Sequence, residues 1–82
     1  MNRKILRQTQ EFTYNLVKLE DVEVFGVLRL MGIIIGEDED FYDVLLRAQA
    51  KFKKMNKRQR RNLLELVGAA AEKEDEGNGE SI

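Results

Sequence analysis

The sequence predicts a mainly α-helical domain of three or four helices. Its 82 residues allow one small domain with a shallow core. In residues 40–55 and 56–70, apolar side chains recur at the three- and four-residue spacing of an amphipathic helix. Each of these segments begins with a residue type that favours helix N-termini, Asp40 and Asn56.

The N-terminal segment leaves two alternatives open. Phe12, Tyr14 and Leu16 occupy every second position, which is the pattern of a short β-strand. A continuous helix over residues 2–18 also fits. A strand would need a partner, either residues 33–35 or a second copy of the chain, because an unpaired exposed edge promotes aggregation.

A helix is predicted over residues 22–31, with Asp21 as its N-cap and its end near Gly32. Several residues of this segment are β-branched, so a strand is the alternative. The residues expected on the buried side of the helix are Val24, Phe25, Leu28 and Met31.

The next two helices are predicted to pack as a hairpin because only a short break separates them. In the first, acids precede the helix and lysines end it, which suits the helix dipole. Its expected buried residues are Phe41, Val44, Leu45, Ala48, Phe52 and Met55. In the second, Asn56 and Gln59 are spaced as a capping box. Its expected buried residues are Leu63, Leu64, Leu66, Val67 and Ala70.

The C-terminal segment combines acids, glycine and serine with one apolar residue, Ile82, at its end. Such a composition buries too little apolar surface to offset the entropy lost on ordering. The sequence therefore predicts one domain over residues 1–71 and a disordered acidic tail over residues 72–82.

The net charge of −1 conceals four blocks of alternating sign. Residues 1–10 and 51–62 are basic, whereas residues 11–50 and 63–82 are acidic. Residues 51–62 are the densest block, with seven bases and no acid.

Four cations of the densest block fall in or just after the first turn of the predicted last helix, where positive charge is unfavourable. Arg61 has Glu65 one turn away as a possible partner, whereas Arg60 falls among the apolar positions and must reach past them or meet an acid. We predict a partner-binding basic corner formed by Lys51, Lys54, Lys57, Arg58 and Arg61. The alternative is neutralisation of this corner within the chain, by residues 37–40 or by the acidic tail.

Composition argues against catalysis. The chain has no cysteine and no histidine, which removes thiolate nucleophiles, the usual zinc ligands and the best proton-transfer group near neutral pH. The acids at 37–40 lack the spacing of a calcium-binding EF-hand loop and are expected as a solvated helix start. We expect no catalytic, cofactor or metal site, no membrane segment and no small-molecule substrate, and a cytoplasmic protein.

Three segments carry a resemblance: LRLMGI, FYDVLL with the following KF, and NKRQRRNLLELV. Together they resemble short helical proteins of phages and prophages of Gram-positive bacteria, over residues 19–67. The resemblance implies an accessory or assembly role, similar to that of tail assembly chaperones. It supplies no catalytic residues, and the long acidic loop at 37–40 departs from it.

These observations predict a non-catalytic protein-interaction or assembly module that uses an apolar face and the basic corner. Self-association into a homo-oligomer is expected as a way to cover the apolar residues 26–35. The alternative function is accessory nucleic-acid binding by the cluster at 51–61, through contacts with phosphates.

Overall fold

The computed structural model describes the backbone of residues 2–80 and the side chains of residues 2–74. It contains four helices, α1 (Arg3–Leu16), α2 (Asp21–Leu30), α3 (Phe41–Lys54) and α4 (Lys57–Glu80). The predicted mainly helical domain is confirmed.

The strand alternative for the N-terminal segment is wrong, because this segment forms α1 and residues 2–80 contain no strand. The buried positions of α1 are Thr9, Phe12 and Leu16, at helical spacing, whereas Tyr14 is 63% exposed. The alternation of large side chains is thus incidental. Asn2 begins the helix, and its Oδ1 accepts a hydrogen bond of 2.8 Å from the Lys4 N–H.

Gly32 ends α2, as predicted. The Gly32 N–H donates to the Arg29 carbonyl at 3.0 Å, and the Ile33 N–H donates to the Leu28 carbonyl at 2.9 Å. These two bonds form a Schellman motif, with Gly32 at a φ of 79°. Glycine suits this position because a side chain disfavours positive φ.

The buried side of α2 differs from the prediction at one position. Val24, Leu28 and Met31 are buried as expected, but Phe25 is 52% exposed and Val27 is buried instead. The buried residues of α2 thus follow the three- and four-residue spacing of a helix, and Phe25 lies at the edge of the buried side.

The capping box that begins α4 is confirmed. The Gln59 N–H donates to Asn56 Oδ1 at 2.8 Å, and the Asn56 N–H donates to Gln59 Oε1 at 3.1 Å. Two apolar residues expected in the core, Phe41 of α3 and Leu66 of α4, are exposed instead.

The predicted acidic tail overlaps the end of α4. Glu72, Lys73 and Glu74 continue α4. The rest of the predicted tail falls on residues 75–82, which lie outside the fully described part of the chain.

Helix α1 is the centre of the packing. The rings of Phe12 and Phe52 stack in parallel with centroids 4.7 Å apart, and both side chains are fully buried. Next to this stack, Gln49 Nε2 donates to Thr13 Oγ1 at 2.9 Å, and Thr13 Oγ1 donates to the Thr9 carbonyl at 2.8 Å. The interface between α1 and α3 thus contains a stacked aromatic pair, and the polar side chains beside it are hydrogen-bonded.

Helices α1 and α4 run parallel. Arg60 Nε donates to Gln8 Oε1 at 3.1 Å near the start of both helices. About two turns further along each helix, Gly68 lies against Asn15, where a Cβ on the glycine would be 3.8 Å from Asn15 Nδ2.

Helix α3 runs antiparallel to α1. Met55, the C-cap of this helix, lies beside Arg60, which also contacts Gln8 in the second turn of α1. Earlier in α3, Gln49 meets Thr13, which lies further along α1. The most extensive backbone packing between helices is that of α1 with α4 and with α3. Helices α3 and α4 are therefore antiparallel to each other, as expected for a hairpin, and both pack on α1.

We expect Phe52→Ala to lower the free energy of unfolding by about 3–5 kcal/mol, because it removes a buried ring and leaves a cavity beside Phe12. Urea denaturation followed by circular dichroism measures this change. Tyr42→Ala, on the same helix but at an exposed aromatic residue, is the control and should have a small effect. If the alanine variant is unfolded, Phe52→Leu gives a smaller, measurable loss, and equal losses at both positions would contradict a central role for the stack.

Candidate partner-binding surface

The parallel packing of α1 and α4 brings two basic segments to one end of the molecule. The α1 cations, defined as Arg3, Lys4 and Arg7, are exposed and lie within the first two turns of that helix. The contact between Gln8 and Arg60 places these turns beside the start of α4. The two basic blocks of the sequence therefore form one basic end.

The basic corner is exposed to solvent. Its five predicted members are exposed side chains, and within the described residues none forms an ion pair. Arg61 does not pair with Glu65, although a partner one turn away was available. The corner thus carries unpaired positive charge at the C-terminus of α3 and the N-terminus of α4, namely Lys51, Lys54, Lys57, Arg58 and Arg61.

Arg60 has a structural role that separates it from the corner. Its Nε donates to Gln8 Oε1 at 3.1 Å, and its Nη1 donates to the Met55 carbonyl. The guanidinium therefore joins α1, the end of α3 and α4 through neutral acceptors. This contact explains how an arginine is accommodated among the apolar positions of α4.

Arg47 is committed to the segment between α2 and α3. It pairs with Glu39 through Nη1, and its Nη2 donates to the Ile34 carbonyl at 2.9 Å. The Gly36 N–H donates to Glu39 Oε1 at 3.1 Å. The hydrogen bond from Arg47, and then that from Gly36, holds the pKa of Glu39 below its ordinary value. Glu39 thus pairs with Arg47, and within the described residues no acid of 37–40 pairs with a cation of the basic corner.

An open apolar cleft adjoins the basic corner. Its volume is about 240 Å³, and it is lined by Leu30, Met31, Met55, Gln59, Asn62, Leu63 and Leu66. Leu30 is 73% exposed and Leu66 is 47% exposed. Lys51 and Lys54 line a neighbouring hollow together with Gly32, which follows Met31 of the cleft, so an apolar side chain in the cleft would be close to cations.

An acidic loop, defined as residues 34–43, lies at the other end of α3. Beside it is a groove of about 470 Å³ lined by Phe25, Ile35, Gly36, Glu37, Glu39, Phe41 and Val44. Ile34 is 83% exposed, and Glu37, Asp38 and Asp40 are also exposed. This loop combines negative charge with uncovered apolar side chains.

Three carboxylates meet where α2 begins beside α4. Oxygen atoms of Glu20, Glu23 and Glu74 lie within 4.8 Å of one another. Glu20 is the N-cap of α2, in place of the predicted Asp21, and its N–H donates to Glu23 Oε1 at 3.2 Å. The hydrogen bond with Glu23, followed by burial and repulsion from Glu20 and Glu23, raises the pKa of Glu74. We assign no ion to this cluster because exposed acids often lie together without one.

Comparisons with protein-family models, curated proteins and solved structures give no match. No helix within residues 2–80 combines the length and apolar character needed to cross a membrane. Assignment of function therefore depends on the chemistry of the surfaces described above.

Sequence reasoning identified the five cations of the corner but missed two features around them. The α1 cations are 44 or more positions from Lys51 in the chain, and only the helix packing brings these segments to one end. The apolar cleft combines Leu30 of α2 with Leu66 of α4. The sequence predicts an exposed apolar face at residues 26–35, which include Leu30, but it places Leu66 in the core. The sequence alone does not show that these leucines are exposed, because exposure depends on which side of each helix is buried.

We expect opposite stability changes from two charge reversals within the corner. Arg58→Glu should raise the free energy of unfolding by about 0.3–1 kcal/mol, because an acid is favourable in the first turn of α4. Lys54→Glu should lower it by a similar amount, about 0.3–1 kcal/mol, because it places an acid in the last turn of α3. Both changes alter net charge equally, so each controls for the other in urea denaturation at low salt. Changes of the same sign would show that the helix dipoles do not govern this corner.

We expect Glu74→Gln to stabilise the chain at pH 7 and this advantage to fade on acidification. The raised pKa means that the folded state holds the Glu74 proton to a higher pH than the unfolded state, so ionisation opposes folding. Below the ordinary pKa of 4.5, the group is protonated in both states and the penalty disappears. Thermal unfolding from pH 4 to pH 8 measures the difference, with Glu72→Gln, outside the cluster, as control. A constant difference across this range would contradict the proposed repulsion.

Proposed function

We propose that this chain is a non-catalytic interaction module that binds an acidic, apolar protein segment at the basic corner and the adjoining cleft. The observation that carries the proposal is the combination of five exposed cations, unpaired within the described residues, with an open cleft containing Leu30 and Leu66. Cations attract and orient an acidic partner, while apolar contacts in the cleft supply affinity.

The positions of the cations support a role in binding over a role in folding. Lys57, Arg58 and Arg61 lie in the first two turns of α4, where the helix dipole disfavours positive charge by about 0.3–1 kcal/mol each. Arg60 gains hydrogen bonds to Gln8 and Met55, whereas the other three have no ion pair in the described chain. Their presence is accounted for if an acidic surface covers them in a complex.

The biological process that we propose for this module rests on the sequence resemblance alone. A resemblance to small phage and prophage proteins supports an accessory or assembly role in the cytoplasm of an infected cell. In such a role the corner and cleft would hold an acidic segment of a structural protein until assembly.

Nucleic-acid binding is the second candidate, and one observation favours it. The α1 cations extend the positive surface beyond the corner, so cations from α1, α3 and α4 lie at the same end. Such a surface suits contacts with successive phosphates, which give sequence-independent, salt-dependent affinity. No aromatic ring lines the cleft beside the corner, so base stacking there has no platform.

A single set of variants distinguishes the two functions. One probe is a labelled amphipathic helical peptide with leucine on one side and glutamate on the other, and the second is a labelled 20-base-pair DNA duplex. Binding of the full chain is measured by fluorescence anisotropy at two salt concentrations. The variants are Arg58→Ala with Arg61→Ala, Leu66→Ser, and Arg3→Ala with Lys4→Ala.

For a protein-binding module, we expect the corner pair and Leu66→Ser each to weaken peptide binding about tenfold, which corresponds to about 1.4 kcal/mol. The Arg3 and Lys4 pair should leave peptide binding nearly unchanged. For a nucleic-acid-binding protein, both cation pairs should weaken duplex binding and Leu66→Ser should not. Failure to bind the peptide at low salt would overturn the proposed function, and tight duplex binding would replace it with the second candidate.

A further inference from the structure

We infer that the acidic segment received by the basic corner is the acidic loop, residues 34–43, of a second copy of this chain. This inference rests on the proposed function and specifies its partner. It predicts head-to-tail self-association, in which each copy offers its corner to one neighbour and its loop to another.

The two surfaces have complementary chemistry. The loop presents Glu37, Asp38 and Asp40 as exposed acids, and Ile34 as an apolar side chain that is 83% exposed. The corner presents exposed cations beside a cleft that contains Leu30 and Leu66. Contact between copies would therefore pair opposite charges and cover apolar side chains in the same step.

The acids of the loop and the cations of the corner lie at different positions along α3. Glu37, Asp38 and Asp40 precede this helix, whereas Lys51 and Lys54 lie in its last turn. The rise along the helix from Asp40 to Lys51 is about 16 Å. Within the described residues, the ion pair that does form at the loop joins Glu39 to Arg47, which lies in the first half of α3. In the described part of the chain, the corner cations are thus not paired with the acids of the loop of their own copy.

Contact between two different surfaces has a consequence for the assembly. A head-to-tail interface leaves one corner and one loop free at the ends of every open assembly, so growth continues unless a ring closes. A standard interface covers about 600–1,000 Å² on each partner, and the total surface of this chain is 6160 Å². One copy is therefore large enough to hold both interfaces.

Two variants, each defective at one surface, test the arrangement. The corner variant is Arg58→Ala, Arg61→Ala and Leu66→Ser. The loop variant is Ile34→Ser, Glu37→Gln and Asp38→Asn. Neutral replacements are used because charge reversal at both surfaces would create a new attractive pair. Sedimentation velocity over a concentration series measures association of the full chain.

We expect the wild-type chain to form assemblies that grow with concentration and shrink as salt increases. Each variant alone should be monomeric, because every contact needs one corner and one loop. An equimolar mixture should form a 1:1 dimer and nothing larger, since only one intact corner and one intact loop are available. The control variant, Glu11→Gln with Glu72→Gln, removes two exposed acids outside the loop and should associate like the wild type.

Three outcomes would overturn the inference. A wild-type chain that stays monomeric at low salt has no second copy as partner. A wild-type assembly that stops at a dimer has a two-fold interface in place of a head-to-tail one. A mixture of the variants that remains monomeric, or variants that still associate alone, would place the interface elsewhere. If the monomeric chain still binds the leucine and glutamate peptide, the proposed function stands with a different partner.

Discussion

The fold depends on the stacking of Phe12 on Phe52 at the centre of the molecule. The two rings belong to helices separated by α2 in the chain, so their contact fixes α1 as the helix on which α3 packs. Helix α4 then packs along the same helix through the contacts of Asn15 and Gln8. A chain of this size has little apolar surface to bury, and a central helix lets three others share one core. The directions of α3 and α4 relative to α1 follow from this arrangement.

Those directions convert a sequence of alternating charge blocks into a molecule with separated charge. In the chain, basic and acidic blocks follow one another, and pairing of neighbouring blocks would neutralise both. In the fold, the start of α1 and the start of α4 lie together, whereas Glu20, Glu23 and Glu74 meet away from them. Self-repulsion therefore accumulates at each end. Binding to a partner of opposite charge reduces this repulsion.

Local signals were sufficient for the parts of the fold that depend on neighbouring residues. The capping box of Asn56 and the glycine end of α2 need only a few adjacent positions, and both were predictable. The N-terminal segment was ambiguous because alternation and helical spacing coincide over so few residues. The exposure of Phe25, Phe41 and Leu66 was not predictable, since it depends on which side of each helix meets α1. The five cations of the candidate site were found by their density, but the cleft beside them exists only through packing.

Among the seven cations at 51–62, Arg60 differs from its neighbours because its guanidinium has a structural role. By joining Gln8 to the Met55 carbonyl, it holds the angle at which α3 turns into α4. An alanine scan of this segment would therefore mix two kinds of result. At most positions, weaker partner binding would result from the missing charge. At Arg60, it would result from a change in how α3 and α4 pack, because the substitution removes no group that touches the partner.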